Sequence, residues 1–216
     1  MNNSVANTGR LLWAGLRALA LLTVLCGVLY PLAVTGVAQG LFHDKANGSE
    51  VTSGGRVVGS SLIGQRYLTK DGRPDLTWFQ PRPSNGLGNN SVNTRYKLIL
   101  SGATNLSGAD PELVRQVKEA KASVVAANST ATYRVQPSAV PADAVTSSGS
   151  GLDPHISPAY AALQVHRVAE RNHLSVARVR ELVADHTDGR VLGFMGEPGV
   201  NVLELNIALR ELTAGK

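Results

Sequence analysis

At 216 residues, 43% of them hydrophobic, the chain is long enough for one domain of ordinary size plus an appendage and too short for two large domains. Its 21 Lys and Arg against 16 Asp and Glu leave a formal charge of +5, which admits nucleic acid, anionic lipid or an acidic protein as partner. Cys26 is the only cysteine and lies in an apolar run, which excludes an intramolecular disulfide and a cysteine-based metal site.

Residues 1–10 read as a short N-terminal tail and residues 11–42 as a transmembrane anchor. From Ala18 to Phe42 there is no charge. As a helix that run is roughly 37 Å long, more than the roughly 30 Å of a hydrocarbon core. A signal-peptide core of about 7–15 residues is shorter, so an uncleaved anchor is expected. Leu25, before Cys26, is not the small residue that lipid attachment there requires. The very short N-terminus favours a cytoplasmic start and an extracytoplasmic soluble domain, although Arg10 and Arg17 on one side are nearly matched by Lys45 and Arg56 on the other.

Residues 43–56 read as a linker, with a polar exit at His43–Ser49 and a turn at Gly54-Gly55-Arg56, and residues 57–216 as the soluble domain. Val57-Val58 and Leu62-Ile63 read as short strands. Trp78-Phe79 reads equally as an exposed aromatic anchor or as the lid of the core. Pro81 and Pro83 exclude a continuing helix or central strand and open a Gly/Asn-rich loop that runs to about Asn93. Asp110-Pro111 starts a helix with Leu113, Val117, Ala120 and Val124 on one face. Tyr133–Val135 and Ala139–Pro141 are weaker strand candidates. Ser157-Pro158 opens a second helix, striped by Ala161, Ala162, Val165, Val168 and Ala169 and closed by Asn172-His173. Ser175 caps a third, with Leu174 stapled to Val179, and Asn201 with Glu204 opens a last one. The expected fold is a single N-terminal transmembrane helix followed by one mixed α/β soluble domain with a small sheet and about four helices.

Chemistry-bearing residues crowd into Val145–Pro158, VTSSGSGLDPHISP. Ser150, Asp153 and His155 invite a serine-hydrolase reading, which their close spacing opposes: triad members converge from separate elements, and Ser148 and Leu152 stand where a serine elbow needs glycine. A phosphate cradle is the second reading, with Ser147, Ser148, Gly149, Ser150 and Gly151 offering backbone amides and hydroxyls ahead of a helix start. A tight turn that positions the helix is the third, and it leads on composition. No Gly-x-x-x-x-Gly-Lys-Ser/Thr and no Asp-Lys-Thr-Gly is present, so the chain lacks both familiar routes to ATP hydrolysis. Arg171–Ser175 with Arg178 and Arg180 imitates a helix-turn-helix, but Glu181 and Asp185 interleave the arginines and favour a plain helical hairpin, with no nucleic acid. The five histidines have no metal-site spacing.

In sequence order, Gly59–Gln65, Phe79–Ser84, Ser101–Leu106, Val140-Pro141 through Pro158, and Gly196–Leu203 resemble the C subunits of the Kdp potassium-transporting ATPase of bacteria, over essentially the whole chain. The block Ser150–Pro158 is the most specific of these, and Gly199 departs from the pattern where an arginine is common. The resemblance implies a non-catalytic subunit of a high-affinity, ATP-driven potassium importer in the bacterial inner membrane. Its implied partners are the membrane, a channel-like potassium-binding subunit and a P-type ATPase subunit. The implied role is that of a catalytic chaperone that raises the ATPase subunit's affinity for ATP, the one implied cofactor. The alternative is an extracytoplasmic cap on the channel subunit that binds no nucleotide. Only Ser147–Gly151 is suited to a phosphate, and the expected topology places it on the side of the membrane without ATP.

Overall fold

Pro31 shapes the N-terminal helix. It has no N–H for the carbonyl four residues back, and its ring crowds that carbonyl. Helix α1 (Asn3–Val24) accordingly widens into a π turn (Leu25–Leu29), where the Tyr30 amide reaches back to the Leu25 carbonyl, before α2 (Tyr30–Leu41) resumes. The stretch Ser4–Leu41 is long and apolar enough to cross a membrane. Leu11, Leu19, Leu25 and Leu32 are exposed along it, as side chains are when their solvent is lipid. A short helix α3 (His43–Ala46) follows.

This computed structural model describes residues 3–84 and 101–215. They divide into two compact units, Met1–Ser49 and Glu50–Lys216. The second unit opens with an antiparallel hairpin of β1 (Glu50–Ser53) and β2 (Arg56–Ser60). Gly54 and Gly55 take φ of +60° and +75°, the geometry a two-residue hairpin turn demands. Strand β1 thus lies inside the stretch 43–56. Val57-Val58 is in strand as expected, but Leu62-Ile63 is not: it follows a turn in which the Ile63 amide donates to the Ser60 carbonyl. Tyr133–Val135 and Ala139–Pro141 are not strands either. Pro137 and Pro141, which have no amide for a ladder, flank two 3-10 turns at Pro137–Ala139 and Ala142–Ala144. Of the Gly/Asn-rich loop, Pro81–Ser84 has no regular secondary structure and 85–93 lies outside the described residues.

The second sheet is antiparallel, in the order β3 (His155–Ile156), β5 (Gly199–Asn201), β4 (Thr187–Asp188). Around it lie α4 (Pro111–Asn128), α5 (Pro158–Arg171), α6 (Val176–Asp185) and α7 (Val202–Ala214). Each begins at the expected cap: Asp110 accepts from the Glu112 amide, Ser157 from Tyr160, Ser175 from Arg178, and Asn201 from Leu203 and Glu204. The core gathers Phe79, Ile156, Val165, Val168, Val179 and Leu205.

Phe79 is fully buried, so Trp78-Phe79 belongs to the core and is no exposed anchor. Its backbone brings a problem with it, because Leu76–Gln80 runs from a turn into irregular chain that belongs to no sheet, and its polar groups need partners. Side chains supply them. Asn206 accepts from the Phe79 amide at 2.9 Å and donates to its carbonyl at 2.9 Å. Gln164 does the same for Gln80, at 2.7 and 3.0 Å. Arg167 donates to the Leu76 and Trp78 carbonyls, and Asn172 to that of Thr77. Replacing Asn206 with alanine strands two buried backbone groups at once. The expected cost is about 2–4 kcal/mol. It is to be read as a lowered thermal midpoint of the detergent-solubilised protein, with an Asn172→Ala variant, which strands one less buried carbonyl, losing less.

Candidate functional site

The segment Thr146–Ser157 is riveted from both ends. At its start, Thr146 bonds back to the Ala142 carbonyl, four residues earlier, through both its amide and its hydroxyl. At its end, Asp143 receives the Ser157 amide at 2.7 Å and the Ser157 hydroxyl at 2.9 Å, while the same hydroxyl accepts from Tyr160 to cap α5. In between, the loop folds back on itself. The Gly151 amide donates to the Ser148 hydroxyl at 3.0 Å, and the Leu152 amide to the Ser150 hydroxyl at 3.1 Å. The Ser150 carbonyl accepts from the Gly102 amide and the Ser101 hydroxyl. The Gly151 carbonyl accepts from Ser84, and the Leu152 carbonyl from the Gly64 amide. Gly151 is required here: its φ is +69°, and a Cβ would stand 2.8 Å from the Gly102 carbonyl oxygen.

The five residues expected to cradle a phosphate are therefore brought together, but two amide donors that follow the serines, those of Gly151 and Leu152, point inward to their own loop. What faces outward is the exposed Gly149-Ser150 tip, with the Ser148 and Ser150 hydroxyls 3.3 Å apart. Nor do Ser150 and His155 form a catalytic pair. Among the described residues, the Ser150 hydroxyl meets Ser148 and Leu152, whereas the His155 ring lies beside Asp153.

Beneath the loop lies an ion cluster. Arg82, positioned by the prolines on either side, donates to Asp153 at 2.9 Å and reaches the Thr146 and Ser147 carbonyls at 3.4 Å. The His155 imidazole is 3.7 Å from the other Asp153 oxygen, which also accepts the His155 amide at 2.9 Å. His155 first, then its amide and Arg82, hold the Asp153 carboxyl down to about 2 against partial burial. Asp153 in turn raises the His155 imidazole above its ordinary 6.5, with smaller contributions from Asp188 and Glu204.

A second feature was invisible in the linear sequence. A cleft of about 750 Å³ between α4 and the Arg66–Ser84 segment is lined by Arg66, Arg73, Arg82, Arg167 and Arg171, with Asp75 as its acid. Arg167 is 2% exposed and bonds only to carbonyls and amides, among the described residues, and burial lowers its guanidinium to about 10. Burial likewise pushes the Tyr160 phenol of the same cleft up to about 12. Such a lining can hold an anion. It escaped the sequence reading because its arginines are scattered over more than a hundred residues.

The Asp153–His155 pair has a pH signature. His155 with a raised value stabilises the fold fully below its unfolded value of 6.5, and this is lost as pH rises through the folded value. Asp153 stabilises it above the ordinary 3.8, and this is lost as pH falls towards 2. Asp153→Asn is expected to bring the His155 midpoint in an NMR titration back towards 6.5, and to flatten the thermal stability profile below the ordinary carboxylate value of 3.8 and above the ordinary imidazole value of 6.5.

The KdpC family model, described as the c chain of the K+-transporting ATPase, matches residues 12–211. The potassium-transporting ATPase KdpC subunit of Streptomyces avermitilis is 71% identical, over 99% of this chain and 99% of its own length. That of Streptomyces coelicolor is 66% identical, over 99% and 98%, and that of Mycobacterium bovis BCG 42% identical, over 94% and 99%. The match runs through the anchor helix, the loop with its ion cluster and the last helix alike, and the chain belongs to the KdpC family, the accessory, non-catalytic subunit of the K+-transporting ATPase.

Proposed function

We propose that this chain acts as a catalytic chaperone in potassium import: it assembles with the P-type ATPase subunit and the channel-like subunit and raises the affinity of the ATPase subunit for ATP. Helix α1–α2 holds it in the bacterial inner membrane, N-terminus in the cytoplasm and the folded unit outside. ATP, bound at the ATPase subunit, supplies the driving phosphoryl transfer there; this chain contributes contacts with its partners. The observation that carries the reading is the inward commitment of the Ser147–Gly151 loop. The Gly151 and Leu152 amides close on Ser148 and Ser150, and the nearest guanidinium, that of Arg82, is occupied by Asp153 and two carbonyls. A loop in that state fits a phosphate poorly and suits a rigid corner.

A direct nucleotide contact through Ser147, Ser148, Gly149, Ser150 and Gly151 is the second reading, favoured by the outward hydroxyl pair of Ser148 and Ser150. The two separate in one set of measurements on the assembled complex. Removal of this chain is expected to raise the ATP concentration for half-maximal ATPase activity, and Ser147→Ala/Ser150→Ala to leave it where it is. A parallel rise in the double variant, with loss of photo-crosslinking by an ATP analogue, would decide for the second reading. Topology is tested with Cys26→Ser/Ser138→Cys, the new thiol sitting on an exposed 3-10 turn. A membrane-impermeant thiol reagent is expected to label it on intact spheroplasts, and protection would overturn the outer placement.

A further inference from the structure

Among the described residues of the folded unit, the turn between β4 and β5 has the densest run of exposed large hydrophobics. Val191, Leu192, Phe194 and Met195 occur within five residues, and all four are exposed, Leu192 at 79% and Phe194 at 70%. The backbone beneath them is held firmly. The Val191 amide donates to the Met195 carbonyl at 2.9 Å and the Met195 amide to the Val191 carbonyl at 3.0 Å, while Gly193 and Phe194 donate to the Arg190 and Val191 carbonyls. Leu192, a bulky non-glycine residue, is kept at φ +53°, a strained conformation that persists only where its surroundings enforce it. Exposed apolar side chains on a rigid, strained turn are the anatomy of a contact made ready before its partner arrives.

The charges around the tip identify the kind of partner. Arg190 is neutralised by Glu197 at 2.8 Å, leaving Asp185 and Asp188 to set the sign of the neighbourhood. At the foot of the tip, a hollow is lined by Asp143 and Asp188 together with two acids that already face cations, Asp153 beside Arg82 and His155 and Glu197 beside Arg190, so that Asp143 and Asp188 are its acidic excess. An acidic surround is repelled by an anionic bilayer, whose attraction is for Lys and Arg. It complements a basic one.

We infer that Val191–Met195 is the seat of the folded unit on another subunit of the potassium-transporting complex, its apolar side chains entering a socket rimmed by Lys or Arg that faces the acidic hollow. The inference rests on the assembly proposed above. It predicts that Leu192→Ser/Phe194→Ser, in the full chain expressed with the other subunits, lowers recovery of those subunits with this chain by about tenfold or more, the scale of a hot-spot loss. Thermal stability is expected to stay unchanged, because neither side chain is buried. Asp188→Lys lowers recovery in the same direction. Val57→Ser/Leu62→Ser, which removes exposed apolar groups elsewhere on the unit, leaves it intact. Full recovery with the tip variant or with Asp188→Lys overturns the inference, whereas failure of the unaltered chain to recover the subunits overturns the assembly itself. A bimane label at Val191→Cys in a Cys26→Ser background is expected to shift its emission to the blue only in the assembled complex. A shift in lipid nanodiscs alone would reassign the tip to the bilayer, and one that grows with the concentration of this chain alone, to a second copy of it; either overturns the inference.

Discussion

The backbone of Leu76–Gln80 passes partly, and at Phe79 wholly, out of reach of water without joining a sheet, and the second unit is organised around meeting that demand. The amides of Gln164 and Asn206 each present a donor and an acceptor to one residue, as a neighbouring strand would, so the segment is paired to α5 and α7 as if to β-strands. Arg167 extends the pairing to two more carbonyls. Its guanidinium bonds to carbonyl and amide oxygens, and its burial, only partly offset by the Asp75 carboxylate, lowers its value and adds to the cationic character of the cleft it lines. A shift of α7 against the core would unpair the buried backbone of Phe79, and a shift of α5 the partly buried backbone of Gln80.

The same constraint fixes the loop. Gln80, pinned at both amide and carbonyl, leads into Pro81-Arg82-Pro83, whose rings leave the intervening arginine little freedom. Arg82 therefore approaches Asp153 and the Thr146 and Ser147 carbonyls from a determined direction. Val202 adds a lock from the other side, its amide donating to the Pro154 carbonyl where α7 begins. A side-chain pairing deep in the unit is thus transmitted, through three residues, to the polar segment Thr146–Ser157.

This division explains what was readable beforehand. The four helix starts at Asp110, Ser157, Ser175 and Asn201 were legible because a cap bonds to an amide two or three residues away, within the reach of a local pattern. The fold class was legible for the same reason, and so was the anchor, since uninterrupted apolar composition needs no tertiary information. The pairings of Phe79 with Asn206 and of Gln80 with Gln164 span 127 and 84 residues, and a buried Asn or Gln in a helix looks in sequence like any surface one. Proline explains the lost strands: Val135 and Val140 are β-formers by composition, but Pro137 and Pro141 remove the donors a ladder would need. At the Ser147–Gly151 loop, composition could supply the donors but not the direction in which they point.

Direction is equally what separates the tip from an ordinary surface turn. Among the described residues, large exposed hydrophobics fall mainly in two places: along the N-terminal helix, where lipid explains them, and at Val191–Met195, where nothing within the unit does. Isolated exposed residues such as Val57 and Val114 are normal for any soluble surface. Four in five positions, on a turn closed by two backbone bonds and bent at Leu192 into a conformation most side chains avoid, are not. The strain at Leu192 would be relieved by rearrangement, and the paired Val191 and Met195 backbone groups oppose it. The turn is stabilised in the outward state by backbone bonds that involve none of its side chains, which leaves those side chains wholly available to an assembly in which this subunit is one member.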